Sequence, residues 1–463
     1  MLTELFTNDI GLTILIIFFA FLGLFILNNI PVVHNFKEFA VGSKKNNLRP
    51  LIYSLTSLCI GHIILISFFY DDFLYIIISI FCCIILFSIY HRMIYWLFPL
   101  NMISIIDPIR QIYSARIKIV FIFIGIVFCV CNVVMYFSLV FILFREDIVW
   151  PSIYCGIAVF ATVTNGVDGL LKFSVPQLFI FTISLIVLCS FMFDDSYTWE
   201  LAIFFDEEFG QNIASDNKIS VNNYVFIFLY FFLSFFNPAI YQCVCLSKDT
   251  IELKDSLCLM LMLLLGLLVV VLLFFLLKEK QEAQYYLFNL LTDTTYSFKR
   301  TAVIIAVMSI IFINIVLNLN SSSVLICNDL YKIINLDMSR RSQEFLARLF
   351  CLILGASSSA IARLKPDLHY ILSISYSVYI PVVFFPIFLT RIGFRTSDES
   401  MMFGIYTTLV CVLIFNTALN INMAALGMVI FAASLFFYIK FFQQTYEWVV
   451  VRVITDKNYD TNQ

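Results

Sequence analysis

An all-α, polytopic membrane bundle of about thirteen transmembrane helices is the fold class this sequence predicts, and three observations carry the prediction. Hydrophobic residues make up 62% of the chain and charged residues 13%, with a mean hydropathy of +0.97. A water-soluble domain of this length cannot carry so little polar surface. A hydrocarbon core about 30 Å thick takes about 20 apolar residues per helix. Runs of that length fall at 8–28, 50–70, 73–97, 117–144, 148–171, 174–194, 222–246, 256–278, 301–327, 344–363, 367–391, 399–421 and 423–447. The linkers are short, so 1–463 reads as one integral membrane domain with no separate soluble unit.

The distribution of basic residues orients the bundle. With the N-terminus outside, the inward loops and C-terminus hold 20 of the 28 Lys and Arg, among them Lys37, Lys44, Lys45, Arg49, Arg92, Arg110, Arg116, Arg340, Arg341, Arg391 and Arg395. Cytoplasmic loops are enriched in such residues. The expected placement is therefore the cell (inner) membrane, N-terminus outside and C-terminus cytoplasmic. The first helix has neither a cationic stretch before it nor a small-residue cleavage site after it, and reads as a retained span. The 13 cysteines lie in or beside spans without paired-loop spacing, so neither a disulfide framework nor a metal site is expected. No P-loop, HExxH, nucleophile elbow or nucleotide fingerprint occurs, which argues against an ATP-driven pump, a membrane protease or any other enzyme. Nucleic acid is not an expected partner; the lipid bilayer is.

In chain order, the first helix ends at Pro31 and a basic loop leads to Arg49. Gly61, with Ser57, Cys59 and His62 around it, is the weak spot of the second span. A histidine there is either satisfied by a neighbouring helix or faces a functional interior. The third span passes His91 and Arg92 into a solvated loop with Ser104, Asp107, Arg110 and Arg116. Residues 165–177, NGVDGLLKFSVPQ, join the fifth and sixth helices on the inside. Outside, 194–218 is acidic, either a solvated loop or a rim that concentrates cations. Asn237-Pro238 breaks the aromatic seventh helix, because proline removes a backbone donor and frees a carbonyl. The eighth helix is apolar all round and reads as lipid-facing scaffold, and 279–300 contains an amphipathic piece that reads as surface packing rather than as an external lid.

The ninth span ends in Asn318, Asn320 and Ser321 to Ser323, followed by Asp329, Lys332, Arg340 and Arg341. Such side chains in a bilayer face a bundle interior or an aqueous cavity, as packing glue or as a site. The small residues of LGASSSA, 354–360, suit close helix packing. Pro381 and Pro386 mark the eleventh helix, TRIGFRTSDES is an inward basic turn, and the tail from Tyr446 to Gln463 is too short for an effector domain.

In this order the segments resemble the sodium:solute symporter family along nearly the whole chain. The polar cluster running into Asp329-Leu330-Tyr331-Lys332 is similar to the family's span ending in an Asp-hydrophobic-Tyr-Lys signature. Phe39 to Ser43 with Leu48-Arg49-Pro50 resembles its Gly-Arg-Ser-Leu loop, Gly166 to Gln177 its Gly-Gly…Gln segment, and Tyr241-Gln242 its Gln-Arg pair. Pro381 to Gly404 resembles its late proline-containing helix and polar loop.

The resemblance implies an inverted-repeat (5+5) transporter fold: an accessory helix over 1–30, a first repeat over 50–194, a second over 222–391 and accessory helices over 399–447. Its first repeat begins with a helix broken at mid-membrane, which would put the break near Gly61. It implies ion binding by the carbonyls of Ser57 and Ile60 and the side-chain oxygen of Asn314, and solute contacts from His62, Asn237, Tyr241 and Gln242. The chain departs from the pattern at three places. Ser174 replaces an aspartate, Cys243 an arginine, and Ile313 one of two hydroxyl residues that should stand at 313 and 314. A hard cation wants several oxygens, and one amide oxygen with backbone carbonyls is a thin shell.

The implied function is secondary active transport of a small solute by alternating access, coupled to a cation, sodium or a proton. No basic residue lies at mid-span in the second or seventh helix, which points to a neutral or zwitterionic solute. No cofactor other than the sodium ion is implied. The alternative is a transporter-like sensor or structural membrane subunit that has lost coupled transport.

Overall fold

The computed structural model describes residues 2–28, 36–42, 48–69, 78–82, 84–85, 88, 104, 106, 112–144, 147–194, 230, 237–245, 247, 250–277, 298–334, 339–419 and 424–448. Most of the third span and most of the seventh lie outside these residues, as do the loops at 43–47 and 195–218, the stretch 279–297 and the tail from 449. Among the described residues, seven helices are long and apolar enough to cross a membrane, with two shorter apolar helices at Pro50–Leu65 and Leu426–Phe441. The chain is a polytopic all-α membrane bundle.

Its long elements are α1 (Leu2–Asn28), the short α2 (Phe36–Val41), α3 (Leu48–Phe69), α4 (Ala115–Phe144), α5 (Val149–Asp194), α6 (Pro238–Cys245), α7 (Thr250–Leu277) and α8 (Phe298–Val324). After them come α9 (Arg340–Arg363), α10 (Leu368–Tyr379), α11 (Phe385–Arg391), α12 (Asp398–Leu419) and α13 (Ala424–Phe441).

α8 is the axis. It packs against α1, α3, α4, α5, α6 and α9, and the most apolar part of its span is 100% buried. A helix that is apolar along its length and also carries asparagines and serines satisfies both only inside a bundle. α7 is the opposite case: Leu253, Leu257, Met260 and Leu264 form one buried stripe, α7 packs against α3, and Ile251, Met262 and Val269 remain exposed, as a lipid-facing scaffold helix should.

Three features differ from the sequence expectation. The 165–177 link is not a loop: α5 runs through it and breaks at one residue, Gly166, with φ 57° and ψ −174°. Only glycine takes that backbone at little cost, and an added Cβ would lie 3.2 Å from both Cα and O of Phe39 in α2. α3 is unbroken through Gly61. A short ribbon, β1 (Phe394–Thr396) antiparallel to β2 (Tyr446–Trp448), ties the turn after α11 to the end of the bundle.

Two π turns were not anticipated. One extends α8 over Leu325–Leu330, and the other, Ile380–Phe384, joins α10 to α11. The second contains Pro381, whose missing N–H and ring crowd an α turn and favour a widened one. The small residues of α9 behave as expected: a Cβ at Gly355 would lie 2.5 Å from Val159 Cγ2 of α5.

Candidate functional site

Gly61 and Asn314 bring α3 and α8 into contact. The absence of a side chain at Gly61 lets the Asn314 amide lie on the α3 backbone, and a Cβ there would be 2.7 Å from Asn314 Cγ. Asn314 Nδ2 donates to Ser57 O at 3.1 Å and to Ile310 O at 3.2 Å. Its Oδ1 accepts from the Tyr136 hydroxyl of α4 at 3.1 Å, and its main-chain oxygen accepts from Asn318 Nδ2 at 2.7 Å. All of these residues are shut from solvent: Ser57, Tyr136, Ile310, Asn314 and Asn318 are 0% exposed. Ser57 and Asn314, two of the three expected ion-site residues, are thus brought together. Ile60 lies in the same unbroken stretch of α3, buried.

His62 stands one turn beyond Leu58, and its Nδ1–H donates to Leu58 O at 2.6 Å. A carbonyl only accepts, so Nδ1 carries the proton and Nε2 presents a lone pair. Nε2 has no partner among the described residues. The ring meets Tyr136 edge-on at 6.4 Å and Tyr230 at 5.5 Å between centroids. Tyr230 packs on Tyr376 of α10 at 4.6 Å, Tyr376 on Phe128 at 4.9 Å, and Phe128 stacks on Tyr379 at 4.0 Å. Tyr136 therefore links His62 to Asn314, in an uncharged aromatic wall built from α3, α4, α8, α10 and residue 230. The tyrosines of this wall were not among the sequence candidates. With 23 Tyr and 52 Phe in the chain, no local pattern sets these apart.

The other expected solute residues lie lower along α8. Gln242 of α6 accepts through Oε1 from Ser321 Oγ at 2.5 Å and from Asn320 Nδ2 at 3.3 Å. Asn314 and Ser321 are seven positions apart, which is about 10 Å of helix rise, so Gln242 and Asn314 belong to separate polar contacts. Asn237 caps α6: its Oδ1 accepts from Ala239 N at 2.9 Å, with Pro238 as the first helical residue, a pairing that suits a helix start. Tyr241 is buried in α6, which packs on α8 and α3.

Below them, Arg348 of α9 closes the break at Gly166. Its Nη1 donates to Val163 O at 2.6 Å and Thr164 O at 3.1 Å, carbonyls that the break leaves without helical partners. Its guanidinium lies 5.3 Å from the Phe39 ring centroid and is held by Glu344 at 2.9 Å. Ser174, where the resembling pattern has aspartate, donates to Leu171 O at 2.6 Å and Pro50 O at 3.2 Å, tying α5 to the start of α3.

No family model matches the chain, and no curated protein matches it in sequence. Among solved structures it is similar to a Na+-coupled sialic acid symporter in a substrate-bound, outward-open state. The TM-score is 0.72 at 14% identity, over 95% of this chain and 99% of that one. The two chains share a fold over nearly their whole lengths.

Proposed function

We propose that this integral membrane protein is a secondary transporter that moves a small neutral or zwitterionic solute by alternating access, N-terminus outside and C-terminus cytoplasmic. The support is the buried wall of His62, Tyr136, Tyr230, Asn314, Tyr376 and Tyr379, which among the described residues includes no Lys, Arg, Asp or Glu and leaves His62 Nε2 and Ser57 Oγ without a protein partner. Polar groups held inside a bilayer bundle mark solute and ion paths, and a solute bound by such a wall needs hydrogen-bonding groups but no countercharge. The fold shared with a symporter supports this reading, in which two inverted repeats, over 50–194 and 222–391, rock against each other.

A coupling cation belongs to this reading, and His62 is the side chain placed to carry a proton, because Nδ1 is anchored and Nε2 meets no partner among the described residues. The test is uptake into proteoliposomes by the full chain, with a panel of neutral and zwitterionic solutes first screened by melting temperature. Uptake should rise as the outside is acidified, and His62→Gln should remove the pH dependence while solute still stabilises the protein. A solute that stabilises the protein but is never moved would leave the sensor alternative standing.

A further inference from the structure

We infer that the amide group of Asn314 takes the place of an inorganic cation between α3 and α8, so that this contact closes without sodium. Two carbonyl oxygens, Ser57 O and Ile310 O, converge on a single atom, Asn314 Nδ2. Carbonyls do not donate, so the group between them has to be the N–H₂ end of the amide, and the choice between N and O is chemically forced. Its two hydrogens offer positive charge to two oxygens, the role a small cation would fill.

The rest of Asn314 is used up in holding that orientation. Oδ1 is turned away to the Tyr136 hydroxyl, and the main-chain oxygen is taken by Asn318. The neighbouring Ile313 is 0% exposed and its side chain supplies no oxygen. Gly61 lets the amide sit against α3, so the site is occupied by protein rather than framed by it. A hard cation needs a shell of oxygens; here an N–H₂ group stands in the shell and repels it. The residues do not fit sodium, although the symporter of similar fold is sodium-coupled. A ligand shifts a conformational equilibrium only through a difference in affinity between the two states. With the cation built into the chain, sodium has no such difference to exploit at this contact.

The test uses sodium itself as the probe on the purified full chain. Melting temperatures in sodium chloride and choline chloride at equal ionic strength should coincide for the native protein, because an ion that binds the folded state must raise the melting temperature. Asn314→Asp, which replaces the N–H₂ by a carboxylate oxygen, should melt lower in choline and regain stability in sodium. A sodium-dependent rise in the native protein that Asn314→Ala abolishes would overturn the inference, as would an Asn314→Asp protein that folds yet ignores sodium. Should Asn314→Asp not fold, hydrogen exchange of the native protein at 57–66 and 310–318 decides: equal protection in both salts is expected, and protection gained in sodium refutes it. None of these readings depends on whether any solute is transported, so they fail or hold separately from the transporter reading.

Discussion

A methyl group added at Gly61 tests the α3–α8 contact most directly. The new Cβ of Gly61→Ala would lie 2.7 Å from Asn314 Cγ and 3.1 Å from Oδ1. Non-bonded carbons prefer about 3.5–4.0 Å, so the amide must retreat by about 1 Å. It cannot do so freely, since its hydrogen bonds to Ser57 O, Ile310 O and Tyr136 lie at 3.1, 3.2 and 3.1 Å. Overpacking a tight core costs about 1–3 kcal/mol, and each weakened hydrogen bond about 0.5–1.5 kcal/mol. Alanine's better helix propensity returns up to about 1 kcal/mol. The net expectation is a loss of about 2–4 kcal/mol, read as a lower melting temperature in one detergent and salt. Gly266→Ala in α7 and Gly156→Ala in α5 are the controls, because an added Cβ meets nothing within 4 Å at either site; both should be neutral or slightly stabilising. If Gly61→Ala melts with the controls, the close approach is not there. If it melts lower, Gly61→Ala combined with Asn314→Ser should recover part of the loss, a coupling of about 0.5–3 kcal/mol between touching residues.

Two further outcomes follow from the α5 break. Gly166→Ala forces a Cβ into a left-handed backbone, φ 57°, and against Phe39; the backbone cost alone is about 1–2 kcal/mol, and melting temperature should fall accordingly. Arg348→Met keeps the aliphatic stem but removes the donors to Val163 O and Thr164 O. Losing hydrogen bonds from a charged donor costs about 1.5–3 kcal/mol, and hydrogen exchange or protease cleavage around 163–168 should quicken while the rest of the bundle is unchanged.

Much of the bundle was readable from hydropathy because lipid imposes length and polarity residue by residue. The expected spans 344–363 and 399–421 correspond to Arg340–Arg363 and Asp398–Leu419. What hydropathy does not carry is which group answers which across the bundle. NGVDG reads as a loop, yet α5 continues because the carbonyls freed at Gly166 are met by an arginine 185 residues downstream of Val163. Gly61 reads as a place where a helix breaks, but with a partner helix pressed on it the same glycine is a place where helices touch. Asn314 is picked out only by the family resemblance, while the direction of its amide depends on Ser57 and Tyr136, which no local pattern reveals. Asn237-Pro238 reads as a break in a helix; Pro238 begins α6 there, and the capping role of Asn237 is a local contact that the sequence reading did not assign.

The enclosure of α8 bears on how the protein is made. The most apolar 18-residue stretch within Arg300–Leu330 has a mean hydropathy of 2.7, high enough to leave the aqueous channel of the insertion machinery unaided. Once in lipid, however, Asn314, Asn318 and Asn320 face a solvent with nothing to offer their amides. Asn318 donates to Asn314 O within α8, but the partners that Asn314 and Asn320 meet outside α8, namely Tyr136, Ser57 and Gln242, belong to segments synthesised earlier, whereas α9, which covers another side, is synthesised later. The nascent chain therefore has to dock α8 onto a half-built bundle before α9 seals it. A delay in translation at that stage, or a lesion in any of those three earlier partners, would expose the asparagines to the membrane and to the quality-control machinery that recognises them.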